Sequence, residues 1–172
     1  MAKRLVAADA SPLIGLAAAG AFHLLRKLFG TVTVTAAVRD EVLAGGELPG
    51  AHELAAAVRA GWIKVARTPA GAEVFPELGV GEASTLALAM KYCKECLVLM
   101  DEPLGRARAR AGGIPVTGLA GILLAAKRTR LVRSVRPFFD RLAQSDFRIS
   151  DRVVRTVPRA TSRPGTPRPH GV

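Results

Sequence analysis

The sequence predicts an α/β fold, a three-layer α/β/α sandwich around a central and mostly parallel sheet. Short strand-like segments, such as residues 5–8, 31–35 and 96–100, alternate with helical segments along the chain. Two of these segments, LVAA and CLVLM, are apolar throughout, which is typical of strands that are covered by helices on both faces. In such sheets the functional site lies at the carboxyl ends of the strands, so we expect functional residues there.

Capping residues and glycines set the predicted elements of the first half of the chain. After the strand over 5–8, Ser11 is predicted to be the N-cap of a helix with Pro12 at its first position. That helix extends to about residue 20, and a second apolar helix over 21–29 stops at Gly30. The β-branched segment TVTVT predicts a strand. We then expect a helix over 36–43 that is ended by Gly45 and Gly46, and a helix over 51–60 that is closed by Gly61. A strand over 62–67 and a loop over 68–78 follow.

The second half continues the alternation. The segment GEASTLALAMKY predicts a strong helix over 81–92, and CLVLM predicts a central strand. A basic helix over 104–111, a short strand over 114–117, helices over 119–129 and 135–144, and a last turn over 150–157 follow. We predict one domain over residues 1–157. Residues 158–172 contain four Pro, three Arg and no acidic residue, so they are predicted to be a disordered tail.

Composition excludes several classes of protein. Hydrophobic residues make up 49% and charged residues 23% of the 172 residues, which suffices for a sizeable core and excludes a mainly disordered chain. The longest charge-free runs, 10–25 and 111–126, are shorter than the roughly 20 residues of a membrane span. Asp9 and Pro12 interrupt the apolar stretch that a signal peptide needs. Two cysteines are too few for a disulfide scaffold, so we predict a cytoplasmic protein.

The positive charge is concentrated in one half of the chain. Residues 1–102 carry a net charge of −1, whereas residues 103–172 carry +12. This asymmetry favours a polyanionic partner, with RNA or another nucleic acid first, although a solvated surface in an arginine-rich proteome is an open alternative. Arg106, Arg108 and Arg110 on the predicted basic helix are candidate contacts for RNA phosphates, or simply form a solvated face.

Four acidic residues occupy informative positions. Asp9 and Asp101 each follow a predicted strand directly, and they would emerge at the same edge of the sheet if these strands are neighbours. Asp at such a position also commonly caps the next helix. Glu41 borders the apolar stripe of its helix, whereas Asp40 points to solvent. Glu82 begins a stripe at the spacing of one helix face, or is a first-turn acid favoured by the helix dipole.

Four carboxylates at the edge of an apolar core repel each other and are costly to bury. A hard divalent cation with oxygen ligands, Mg²⁺ or Mn²⁺, would remove both costs. Such an ion can activate a water that attacks a phosphodiester. The residues therefore predict an acidic metal site beside a basic surface for nucleic acid, with Asp9, Glu41, Glu82 and Asp101 as both metal ligands and catalytic residues.

These motifs resemble the PIN-domain nucleases. VAADASPLIGL is similar to the family's first strand with its Asp-x-Ser signature, VRDEVL carries the helix acid, GEASTLALA the third acid, and LVLMDE the fourth. The likeness continues through GIPVTGLAGILLAAKR and SDFRISDRVV, which are similar to a PIN branch close to VapC-type toxins. It covers about residues 4–155. It implies a Rossmann-like fold, a Mg²⁺- or Mn²⁺-dependent ribonuclease, a homodimer and a small antitoxin partner.

Several positions depart from the commoner family pattern. The third acid is Glu82 rather than Asp, Asp101 is followed by Glu102 and Pro103, and Leu119 stands where a small hydroxyl residue is expected. Ser11 and Glu102 are predicted to act next to the ligands. The Ser11 hydroxyl orients Asp9 or a water, or is only the helix N-cap, and both roles are compatible.

Two other classes of function compete with the nuclease. A catalytically weak RNA- or protein-binding module on the same fold is the main alternative, although a pure binder gains nothing from four clustered carboxylates. A phosphohydrolase with an aspartyl intermediate needs a second Asp two residues after the nucleophile, where Ser11 stands. A metal or redox role for Cys93 and Cys96 is disfavoured because no second cysteine pair exists.

Overall fold

The computed structural model describes residues 4–92 and 95–145. The described strands are β1 (Leu5–Ala8), β2 (Val32–Thr35), β3 (Ile63–Ala66), β4 (Cys96–Leu99) and β5 (Val116–Thr117). The described helices are α1 (Ala10–Ala18), α2 (His23–Phe29), α3 (Ala36–Ala44), α4 (Ala51–Arg59), α5 (Val80–Met90), α6 (Pro103–Ala111), α7 (Leu119–Arg128) and α8 (Arg136–Gln144).

The five strands form one sheet in the order β3-β2-β1-β4-β5, and each neighbouring pair is parallel. The chain builds outward from β1 to β2 and β3, and then returns to place β4 and β5 on the other side of β1. The strand order therefore reverses between β1 and β4, where Ala8 pairs with Leu99. In open parallel sheets a crevice forms at the carboxyl ends of the strands on either side of such a reversal.

Helices cover both faces of the sheet. Alternate residues of each strand point to opposite faces, so Val6, Ala8 and Leu99 belong to one core cluster and Ala7 and Val98 to another. The first cluster is completed by α1, α2, α3, α4, α7 and α8, and the second by α5 and α6. The predicted three-layer α/β/α sandwich is confirmed.

The start of α1 corrects one prediction. The helix begins at Ala10 with Asp9 in the N-cap position, so Ser11 is not the cap but a half-buried residue of the first turn. Pro12 gave a misleading signal because the backbone N–H groups throughout the first turn have no partner within the helix, so proline is tolerated at several positions there. The other boundaries move by one or two residues, and a short 3₁₀ turn over Ala72–Val74 lies in the predicted loop.

Some predictions fall outside the described residues. The last turn over 150–157, the tail over 158–172, Cys93 and nearly all of the SDFRISDRVV segment lie there. Cys96 is described, and burial raises the pKa of its thiol to about 11. Within residues 4–92 and 95–145, no single helix is both long and apolar enough to cross a membrane.

Candidate active site

Asp9 and Asp101 follow neighbouring strands at the carboxyl edge of the sheet. The Asp9 backbone N–H donates to the Leu99 carbonyl at 2.9 Å, which extends the pairing of β1 with β4 by one residue. Asp101 follows β4 two residues after its last strand residue, Leu99. Both carboxylates therefore stand where the strand order reverses, the place at which α/β proteins bind ligands.

Asp9 is a buried carboxylate with an unpaired oxygen. The residue is 3% exposed, and its Oδ1 has no hydrogen-bond partner among the described residues. The pKa of Asp9 is raised to about 7, chiefly by burial and also by the charges of Glu82 and Glu41, while the nearby N–H groups of Ala10 and Ser11 act in the opposite direction. An ionised carboxylate that is buried without a partner lowers the stability of the folded protein, and a cation bound to it would offset that cost.

Glu41 meets Asp9 at a glycine of the facing helix. Gly81 lies in the first turn of α5, and a Cβ at this position would collide with Glu41 Oε2 and lie 3.3 Å from Asp9 Oδ1. Burial of part of the Glu41 side chain raises its pKa, although the residue as a whole is exposed. Its neighbour Asp40 is different, since it is paired with Arg39 at 2.7 Å and its side chain is 65% exposed.

Glu82 is the third member of this group and also supports its own helix. Its Oε2 accepts a hydrogen bond from the Gly79 backbone N–H at 3.0 Å, so it satisfies a free donor at the start of α5. Burial raises the pKa of Glu82, the Gly79 N–H lowers it, and the charges of Glu102 and Glu41 raise it again. Both predicted roles of Glu82, as helix-start acid and as site acid, are compatible with this geometry.

Asp101 has a different set of partners. Its Oδ1 accepts a hydrogen bond from the Leu119 N–H at 2.8 Å, at the start of α7, and its Oδ2 is buried without a partner in the described part of the chain. Burial raises the pKa of Asp101, while the Leu119 N–H and the Arg106 guanidinium lower it. Gly118 leaves the space for the Asp101 carboxylate and the Arg106 guanidinium, since a Cβ at position 118 would collide with Asp101 Oδ1 and lie 2.6 Å from Arg106 Nη1.

The predicted site residues thus fall into two groups according to their charged neighbours. Asp9, Glu41 and Glu82 interact electrostatically with one another, and Glu102 neighbours Glu82. Asp101 is next to them by strand order, and the Arg106 guanidinium offsets part of its charge. In the present side-chain positions of residues 4–92 and 95–145, no three Asp, Glu, His or Cys side chains are close enough to hold a metal ion.

The three arginines that are predicted to contact RNA also differ in their partners. Arg106 faces Asp101 and donates weakly to the Met100 carbonyl at 3.4 Å. Arg108 forms a 2.6 Å ion pair with Glu77, and Arg110 is exposed near the end of the same helix. Only Arg110 therefore points to solvent without an ion pair to the described residues.

A buried chain of hydroxyl groups beneath the site was not predicted from the sequence. The Val38 N–H donates to Thr35 Oγ1 at 3.2 Å, and Thr35 Oγ1 lies 2.7 Å from Ser84 Oγ. Ser84 in turn donates to the Gly81 carbonyl at 2.8 Å, so Thr35 must be the donor in its bond with Ser84. This chain connects the start of α3 to the turn of α5 that receives Asp9 and Glu41. The only sign of this chain in the sequence is the threonine directly before a helical segment, which indicates a helix cap at Thr35.

We expect Thr35→Val to lower the free energy of unfolding by about 1–3 kcal/mol, because it removes the α3 cap and a buried hydrogen bond at nearly constant volume. Thr68→Val is the control, since Thr68 Oγ1 accepts from the Ala37 N–H at 3.2 Å on the exposed surface. Urea unfolding measures both variants. Equal destabilisation by the two would show that the buried hydroxyl chain contributes nothing specific.

Comparison with known families agrees with the fold and the acidic site. The family model DUF3368, described as a PIN domain, matches residues 5–163. The chain therefore belongs to the PIN-domain family, whose fold is that of nucleases and whose members generally use divalent metals. No curated protein matches the chain.

Proposed function

We propose that this protein is a Mg²⁺- or Mn²⁺-dependent endoribonuclease of the VapC type. The observation that carries the proposal is the meeting of Asp9 and Glu41 at Gly81, where one buried carboxylate oxygen has no partner among the described residues. Glu82 adds a third negative charge at the same place. A binding module without a cation would gain no stability from this arrangement.

The residues fit a hard divalent cation by their chemistry. The free lone pairs belong to carboxylate oxygens, which Mg²⁺ and Mn²⁺ prefer, and the glycine at position 81 keeps the space between Asp9 and Glu41 clear. Asp9, Glu41 and Glu82 would hold the ion, with Asp101 as the fourth acid. When bound, the ion supplies a Lewis acid that activates water and stabilises negative charge on a phosphate.

The neighbouring residues position this group and its substrate. The hydroxyl chain from Thr35 to Gly81 fixes α5 against α3, and the Leu119 N–H orients the Asp101 carboxylate. Arg106 places a positive charge beside Asp101, where it can attract an RNA phosphate to the edge of the site. Ser11, in the first turn of α1, is close enough in sequence to Asp9 to orient a water there.

The proposed biological role is the toxin of a toxin–antitoxin pair. It is supported by the likeness of GIPVTGLAGILLAAKR and SDFRISDRVV to a PIN branch close to VapC-type toxins, which also suggests a homodimer and a small antitoxin partner. The proposed cytoplasmic location rests on the composition, since two cysteines are too few for a disulfide scaffold. A neighbouring small reading frame that encodes a DNA-binding protein, and co-purification of its product with this chain, are the expected observations. Absence of both would remove the toxin role and leave the nuclease proposal intact.

The second candidate is a catalytically weak RNA- or protein-binding module on the same fold. It is favoured by the Arg106 guanidinium near Asp101, which offsets part of the charge of that acid, and by the lack of three converged ligands in the described residues. This candidate predicts RNA binding that does not depend on added metal and no cleavage with either Mg²⁺ or Mn²⁺.

Cleavage of RNA by a matched pair of variants separates the two candidates. Glu41→Gln keeps the size of the side chain but removes a charge from the site, so we expect the Mn²⁺-dependent cleavage rate to fall about 10–100-fold. Asp40→Asn, one residue away on the exposed face, is expected to cleave at nearly the rate of the unmodified protein. Equal rates in both variants would contradict the assignment of Glu41, and no cleavage by the unmodified protein would favour the binding module.

A further inference from the structure

Six exposed cations lie in the last turns of α2 and α7 and just after α7, at the edge of the sheet opposite the acidic site. Helix α7 starts beside Asp101 at the carboxyl edge, so its last turn reaches the amino edge, and α2 ends where β2 begins, at the same edge. Helices α2 and α7 are in contact. We call the cations around these two helix ends the amino-edge patch: Arg26, Lys27, Lys127, Arg128, Arg130 and Arg133.

The patch is exposed and uncompensated. All six residues are exposed, and none forms an ion pair with another residue of the described ranges 4–92 and 95–145. Residues 103–139 contain eight Lys and Arg and no acidic residue. The negative end of the helix dipole stabilises cations near a helix C-terminus. One or two cations would suffice for that interaction, so the dipole alone does not explain six.

Arg130 is held in a conformation that arginine rarely adopts. Its φ is +60°, and it is the only described non-glycine residue with a positive φ. The turn around it is well defined, because the Leu131 N–H donates to the Ala126 carbonyl at 2.9 Å and Thr129 Oγ1 donates to the Ala125 carbonyl at 2.9 Å. Glycine is the usual residue at such a helix end, so arginine at position 130 carries a small backbone cost that a glycine would relieve.

We propose that the amino-edge patch binds the phosphates of an RNA strand away from the bond that is cleaved, so that the patch selects long RNA over short. This inference rests on the proposed nuclease function. Helix α7 has 10 residues and separates the patch from Asp101 by about 15 Å. A stacked strand advances about 3.4 Å per nucleotide, so a dinucleotide at the acidic site cannot reach the patch.

The test uses the double variant Arg128→Gln/Arg130→Gly, which removes two charges and gives position 130 the residue that its backbone favours. We expect the double variant to be at least as stable as the unmodified protein. Its affinity for a long single-stranded RNA, measured by fluorescence anisotropy without added metal, is expected to fall about tenfold, and the salt dependence of binding is expected to decrease. Mn²⁺-dependent turnover of a dinucleotide substrate is expected to stay unchanged. Lys91→Gln is the control and is expected to bind as before, because Lys91 is an exposed cation at the end of α5, on the other face of the sheet.

The outcomes distinguish this inference from the proposed function. Unchanged affinity of the double variant for long RNA would overturn the inference, and so would equal weakening by Lys91→Gln. Loss of binding to an acidic polypeptide such as polyglutamate, with RNA binding intact, would overturn it in favour of a protein partner. If the patch variant loses long-RNA affinity but the unmodified protein cleaves neither substrate, the patch assignment holds and the nuclease proposal fails.

Discussion

Replacing Asp9 with Asn is expected to stabilise the metal-free protein above pH 7 by roughly 2–4 kcal/mol, while it reduces RNA cleavage to background. The gain comes from removing a buried charge. Asp9 is 3% exposed, its Oδ1 has no partner among the described residues, and Glu82 and Glu41 oppose its ionisation. An Asn amide is neutral and donates a hydrogen bond, so it relieves the repulsion at the same position.

The sign of the pH dependence follows from the raised pKa of Asp9. Below its ordinary pKa of 3.8 the residue is protonated in both the folded and the unfolded chain, so it causes no penalty. Between pH 3.8 and about 7 only the unfolded chain releases the proton, so the folded state loses stability as the pH rises. Above about pH 7 the whole penalty is present. Asp9→Asn removes this part of the slope.

Urea unfolding across this pH range in a chelating buffer measures the effect. Asp40→Asn is the control, because an exposed ion pair contributes at most about 1 kcal/mol. Parallel stability curves for the unmodified protein and Asp9→Asn would contradict the burial of an uncompensated charge at Asp9.

Gly81→Ala is expected to reduce Mn²⁺-dependent cleavage about 10–100-fold, while the free energy of unfolding changes by less than about 1 kcal/mol. The added Cβ occupies the place of Glu41 Oε2, so the flexible Glu41 side chain has to turn away from Asp9. Alanine is the better helix former, which offsets the tight contacts of the Cβ with Asp9 Oδ1 at 3.3 Å and Val38 Cγ2 at 3.4 Å.

Gly112→Ala is the matched control for this experiment. A Cβ at Gly112 meets only ordinary contacts, the nearest being the Ala109 carbonyl oxygen at 3.5 Å. Thermal unfolding and RNA cleavage are measured on both variants. Full cleavage activity in Gly81→Ala would show that the approach of Glu41 to Asp9 is not needed, whereas a large loss of stability would show that the glycine serves packing rather than the site.

Much of the fold was predictable because local and global signals agree. Strands β1 and β4 are buried on both faces, so their continuous apolar sequences identify them and place Asp9 and Asp101 at one edge. Helix periodicity separated Glu41 from Asp40 for the same reason, since only one of them borders the apolar stripe of α3.

The features that escaped prediction depend on contacts between distant segments. The glycine at position 81 is needed because α3 brings Glu41 against α5, and nothing near Gly81 in the sequence shows this. The hydrogen bond from the Leu119 N–H to Asp101 joins residues that are 18 positions apart, at the start of α7. A serine followed by proline resembles a helix start wherever it falls in the first turn, so the sequence places the N-cap of α1 at Ser11 rather than at Asp9.

Calorimetric titration with Mn²⁺ tests the central claim most directly, since it measures the cation site without any RNA. The predicted result is binding with millimolar or tighter affinity by the unmodified protein and by Asp40→Asn, and loss of that binding in Asp9→Asn. No binding by the unmodified protein, or equal binding by Asp9→Asn, would contradict a cation site built on Asp9, Glu41 and Glu82.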